Sequence, residues 1–106
     1  MSEPLIYRAA QIRLAEIWDY TLDKWGEEQA DLYLRELSAS IRGIANRRRV
    51  WRSVQERRLP GVYFVRCAHH FIFFRELEGR IAVFSILHEN MDMLRRLRED
   101  VGLPKE

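Results

Sequence analysis

The sequence predicts an α+β fold: a helical hairpin packed on a mostly antiparallel β-sheet, in the order β-α-α-β-β-β with a short C-terminal tail helix. Three observations carry this. Apolar residues recur at spacings of three and four through the first half of the chain. The period then changes, and three short runs rich in β-branched and aromatic residues follow. Turn signals, Pro60-Gly61 and Glu78-Gly79, punctuate those runs. At 106 residues the chain reads as a single domain, 1–106, with one core.

Leu5-Ile6-Tyr7 is a short strand candidate. Behind it, Ala10, Leu14, Ile17, Trp18, Thr21 and Trp25 fall on one face of a helix, and that face is assigned to the core, both tryptophans included. Gly26 stops the helix, as glycine does just past a C-terminus. Glu27 and Glu28 then suit the positive end of a second helix, with Ala30, Tyr33, Leu34, Leu37, Ile41, Ile44 and Ala45 as its apolar stripe and Arg47, Arg48 and Arg49 at its negative end. The short connector at Gly26 makes the two helices an antiparallel hairpin. Strands are expected over Val62–Cys67, Phe71–Phe74 and Ile81–Leu87, the last two joined through Glu78-Gly79. Polar residues hardly alternate in these last two runs, so both sheet faces are expected to be covered. The hairpin covers one, and a partner is a candidate cover for the other. Met91, Leu94 and Leu97 step by three behind Asn90 or Asp92 as cap, marking the tail helix.

The balance of 47% hydrophobic and 32% charged residues belongs to an ordinary globular chain and excludes a disordered one. No apolar run approaches the roughly 18 residues of a spanning helix, and the start MSEPLIYR lacks a signal-peptide core. A cytoplasmic protein without a membrane partner is therefore expected. The lone Cys67 excludes an internal disulfide and a cysteine-based zinc site, and no cofactor or metal is expected. Net charge is only +2, yet Arg47, Arg48, Arg49, Arg52, Arg57 and Arg58 cluster around the single acid Glu56. Arginine's planar fork suits phosphate and carboxylate, so the cluster points to a polyanionic target or an acidic partner. Trp51 lies among these arginines, as a stacking or partner-anchoring residue or as one docked on the second helix.

The motifs now meet this element order. Trp25-Gly26-Glu27-Glu28-Gln29-Ala30-Asp31-Leu32-Tyr33, Pro60-Gly61, His69-His70-Phe71-Ile72-Phe73-Phe74-Arg75 and Ile86-Leu87-His88-Glu89-Asn90-Met91-Asp92 together resemble the ParE branch of the RelE/ParE toxin superfamily, from about Ile6 to Asp92. The resemblance implies the toxin half of a type II toxin–antitoxin pair that inhibits DNA gyrase and blocks replication without catalysis of its own. It also implies neutralisation by a ParD-like antitoxin, which alone would carry the complex to operator DNA. Two departures stand out: Arg47-Arg48-Arg49-Val50-Trp51-Arg52 replaces a loop often containing proline or glycine, and Phe74 stands where a tyrosine is frequent.

The alternative within the superfamily is a RelE-like, ribosome-dependent mRNA endonuclease. Cleavage through a ribose hydroxyl needs a base, an acid and cations for the phosphorane charge. His88 and His70 would supply the first two, Arg66 and Arg75 the last, if the three strands bring them to one sheet face. Against that, His88 ends an apolar strand, where an imidazole caps backbone groups, and Arg75 sits beside Glu76 and Glu78. His88 is therefore read as finishing a strand. For partners, Arg95, Arg96 and Arg98 on the tail helix are the target-binding candidates. The antitoxin-binding candidates are Arg47, Arg48, Arg49, Trp51, Arg52, Arg57, Arg58 and Phe84, the last from the apolar strands that an antitoxin segment could cover as it folds.

Overall fold

The computed structural model describes residues 3–46 and 50–102; Arg47, Arg48 and Arg49 lie outside the described residues. Strand β1 (Leu5–Ile6) leads into helices α1 (Arg8–Trp25) and α2 (Glu27–Ala45). Gly26 separates the helices at φ +91°, a conformation that favours glycine, and its N–H still closes α1 on the carbonyl of Leu22. Strands β2 (Arg52–Ser53), β3 (Tyr63–Cys67), β4 (His70–Leu77) and β5 (Arg80–His88) follow, then helix α3 (Met93–Asp100). The five strands form one sheet in the order β1-β5-β4-β3-β2, antiparallel except where β1 runs parallel to β5. The expected α+β architecture is therefore present, with a two-residue strand at Arg52–Ser53 in addition.

Turn chemistry explains the meander. Leu77 pairs with Arg80 across Glu78-Gly79, both at positive φ, which is the two-residue turn whose twist matches a hairpin. Cys67 pairs with His70 across Ala68-His69, and here an alanine is held at φ +52°. In β5 the register with β4 slips: Phe74 pairs with Val83 but Phe73 with Ser85, leaving Phe84 as an extra residue. Ile81, Val83 and Ile86 thereby face the helical hairpin, while Phe84 and Leu87 face the other side.

Two apolar layers result. On the hairpin side, Leu37, Ile41 and Ile44 of α2 and Ala10 and Ile17 of α1 pack on Val65, Ile72 and Phe74. On the other side, Phe73, Phe84 and Leu87 lie beneath Leu97 of α3 and beneath Leu59 and Val62 of the segment before β3. The second face is thus covered by the chain itself, not left for a partner. Two details differ from expectation. Neither tryptophan of α1 is core: Trp25 stands 63% exposed one turn beyond Thr21, the last buried residue of the helix, and Trp18 is only half-buried. Helix α3 buries Leu97, with Met93 and Val101 packed beside it, a spacing of four rather than three, and Leu94 faces out. Asp92 caps it, accepting from the Arg95 N–H.

Candidate functional site

Strand β1 ends early, and this creates the site. It pairs only Leu5 with Ala82 and Ile6 with Val83, and Tyr7 donates its N–H to the Val83 carbonyl before α1 turns away. Strand β5 runs on to His88, and among the described residues no strand lies on its outer side there. A groove of about 900 Å³ opens there, between Ile17 and Tyr20 of α1, Tyr33 of α2, the edge at Ile86 and His88, and Met91. Tyr20 and Trp25 form an exposed, edge-to-face pair on its lip, with ring centres 6.0 Å apart.

At the end of the groove, parity brings His70 and His88 side by side. They are register partners, and their rings meet edge to face at 5.1 Å. Burial pushes His70 down to about 4, helped by the neighbouring His88 and His69, so it is neutral at pH 7. Burial likewise raises Tyr33, which keeps its proton. The Tyr33 hydroxyl is hydrogen-bonded to Nδ1 of His70, at 2.5 Å. His88 accepts the Asn90 N–H at Nδ1, 3.1 Å away, the backbone-capping contact expected of a strand-end imidazole. At the rim Glu89 accepts from His69 and pairs with Arg66, and these two partners hold its carboxyl below the usual range.

The four residues of the nuclease arrangement do not converge. His70 and His88 share the hairpin side. Arg66 lies on the opposite side, its guanidinium over the ring of Phe71, and Arg75 also lies there, over Phe84. Alternation along β3 and β4 sends even- and odd-numbered residues to different faces, and the Phe84 bulge reverses β5 only.

A second polar cluster closes the groove's near end. Arg13 of α1 forks onto Asp100 of α3, with Nε and Nη2 each 3.0 Å from a carboxylate oxygen, and the buried Ser85 hydroxyl donates to the same carboxylate at 2.6 Å. Helices on opposite faces of the sheet are thereby joined around the β5 edge, and Asp100 raises Arg13. Sequence reasoning missed this cluster, although Ser85 is the sole polar residue within Ile81–Leu87, which is the mark of a buried hydrogen-bond partner.

The arginine groups are divided by the fold. In α3, Arg98 pairs with Glu56 at 2.5 Å and fastens the helix to the segment before β3, so it does not present its charge with its neighbours. Arg95 is exposed, and Arg96 lines the groove with a long 3.6 Å contact to Glu99. Arg52 and Arg57 are exposed, whereas Arg58 is half-buried. Trp51 docks inward, 5.0 Å edge to face on Phe74 and 5.5 Å from Tyr63, so it is packed on the sheet rather than offered to a partner. Phe84 is 3% exposed beneath α3, so direct contact with a partner requires α3 to leave.

A helical hairpin and a C-terminal helix on opposite faces of a five-stranded sheet define a small α+β fold. A chain of the solved chromosomal ParDE toxin–antitoxin system from P. aeruginosa shares it, with a TM-score of 0.65 at 19% identity, covering 81% of this chain and 96% of that one. Residues 5–93 match the family described as the ParE toxin of the type II toxin–antitoxin system, parDE. This chain is 43% identical over 97 residues to toxin ParE1 of Mycobacterium tuberculosis, covering 91% of this chain and 98% of the relative. It is 31% identical over 100 residues to toxin ParE of Escherichia coli, covering 93% and 96%. Toxin ParE1 of Caulobacter vibrioides is 34% identical over 87 residues, covering 80% and 86%. The chain belongs to the ParE toxin family.

Proposed function

We propose that this ParE-family toxin acts in the cytoplasm on DNA gyrase, holds the enzyme on cleaved DNA and so blocks replication, until a ParD-like antitoxin neutralises it. The family match over residues 5–93 carries the reading. The separation of Arg66 and Arg75 from His70 and His88 supports action by binding rather than by bond breaking, since a phosphorane needs acid, base and cation around one atom. Operator DNA is reached only through the antitoxin. On the toxin, Arg95 and Arg96 offer the target a positive surface, while Arg52 and Arg57 offer one to an acidic antitoxin.

The test adds purified toxin to gyrase with plasmid DNA and, separately, to translating ribosomes. Loss of supercoiling with accumulation of cleaved plasmid is expected, and mRNA should stay intact. Cleaved mRNA with gyrase unaffected would overturn the reading in favour of a RelE-like endonuclease.

A further inference from the structure

The face of the sheet opposite the helical hairpin carries arginine charge that the described chain does not neutralise. Arg75 of β4 pairs in register with Ala82, and Arg80 of β5 with Leu77, and alternation sets these residues on the side of Phe84. Arg75 is half-buried with its guanidinium over the Phe84 ring, and its Nε meets no hydrogen-bond partner. Arg80 donates from Nε to the Glu3 carbonyl, 2.6 Å away, and lines a cavity of about 430 Å³ together with Leu5, Leu77 and Glu78. Arg95 stands exposed in the first turn of α3, the helix that lies on this same face. Among the described residues no carboxylate pairs with any of the three.

The acids nearby are engaged elsewhere. Glu56 pairs with Arg98, Glu89 with Arg66, Glu99 with Arg96 and Asp100 with Arg13. On the helical hairpin the balance is reversed: acids outnumber bases there, and Asp19, Asp23, Glu27, Glu28 and Glu36 are exposed. Charge is thus divided across the sheet, with the positive side around α3. The three arginines are spread along that side. Arg80 opens β5 and Arg95 lies beyond its far end, so the row is about as long as the strand, roughly 26 Å at 3.3 Å per residue. One acidic side chain satisfies one such guanidinium, whereas a duplex, with a phosphate charge about every 1.7 Å of its axis, reaches all three together.

We propose that the α3 side of the sheet contacts the phosphate backbone of duplex DNA through Arg75, Arg80 and Arg95. The choice of DNA rests on the gyrase reading above: a toxin that holds the enzyme on cleaved DNA grips the DNA as well as the enzyme. Backbone contacts carry no sequence information, so operator recognition stays with the antitoxin.

Antitoxin-free toxin titrated into a short fluorescent DNA duplex tests this by anisotropy. Binding should weaken steeply between about 50 and 200 mM salt. Each of Arg75→Gln, Arg80→Gln and Arg95→Gln should lower the slope of log K against log salt by about 0.9. Arg75→Lys, which retains the charge, should keep the slope, and Arg35→Gln on the helical hairpin should leave it unchanged. Melting temperatures establish folding. Should Arg75→Gln not fold, the chain with Arg80→Gln and Arg95→Gln carries the test, with an expected fall of about 1.8. Absence of duplex binding at about 50 mM salt, unchanged slopes in the folded variants, an equal fall for Arg35→Gln, or tighter binding to single-stranded RNA than to the duplex would overturn the proposal. Gyrase supercoiling measured in parallel separates it from the reading it rests on. Inhibition without duplex binding removes the DNA contact alone, whereas duplex binding with gyrase untouched removes the gyrase reading and keeps the contact.

Discussion

The Tyr33 hydroxyl of α2 is hydrogen-bonded to Nδ1 of His70 on β4, joining the helical hairpin to the sheet at the end of the groove. Burial, with His88 and His69 alongside, keeps His70 neutral against the opposing pull of Glu89. The native value near 4 lies below the ordinary 6.5, so the unfolded chain binds more protons between those limits and stability rises with pH. The contribution is whole above pH 6.5 and is lost as pH falls toward 4, on the order of 2 kcal/mol for a partly buried imidazole. Urea unfolding across this window measures it. His70→Gln should flatten the slope, and an unchanged slope would refute the assignment.

The Arg13–Asp100 pair should matter more than any exposed ion pair. Both side chains are nearly buried, and Ser85 depends on the same carboxylate. Asp100→Asn takes from a partly buried guanidinium the closer-held of its two carboxylates, leaving only the exposed Glu16, and should cost about 1–3 kcal/mol in equilibrium unfolding. Asp31→Asn, at the exposed pair with Arg35, should stay within about 0.5 kcal/mol. Equal effects would contradict the account.

Ala68 sits in the left-handed region at the β3–β4 turn. Glycine adopts that conformation without strain, so Ala68→Gly should stabilise the fold by up to about 1 kcal/mol, offset in part by the greater freedom of the unfolded chain. Denaturant midpoints decide it; a clear loss of stability would mean that the turn is held otherwise.

Among the arginines, Arg52→Glu with Arg57→Glu should slow antitoxin association several-fold at low salt, and the effect should fade as salt rises. Arg95→Glu with Arg96→Glu should reduce gyrase inhibition more than it reduces antitoxin binding. Stopped-flow association and supercoiling assays on both variants separate the roles, and matching losses in both assays would erase the division. Arg98 is excluded from the second pair because its replacement would loosen α3 from Glu56.

Most elements were legible because their periods are strong: the stripes on α1 and α2 and the β-branched runs of β3, β4 and β5 lie where expected. What was not legible depends on tertiary placement. A strand covered on both faces reads as a continuous apolar run, so nothing in Ile81–Leu87 discloses the bulge at Phe84, and the bulge decides which face His88 joins. Trp25 continues the stripe of α1, but burial along that helix ends at Thr21, and its last aromatic stands in water. Strand β2 is two exposed residues paired to β3, with no apolar signal of its own. Of the candidate residues, the adjacency of His70 and His88 followed from strand order, whereas Tyr33, Arg13 and Asp100 joined the site only through packing between distant segments.

The most direct test of a binding toxin that makes no catalytic use of its histidine uses the His88→Ala chain, checked for folding, in the gyrase assay. Loss of the Asn90 contact should cost about 1 kcal/mol or less in stability. The folded variant should then inhibit supercoiling and accumulate cleaved plasmid as the parent chain does. A folded His88→Ala chain inert toward gyrase, beside a parent chain that cleaves mRNA on ribosomes, would contradict the account.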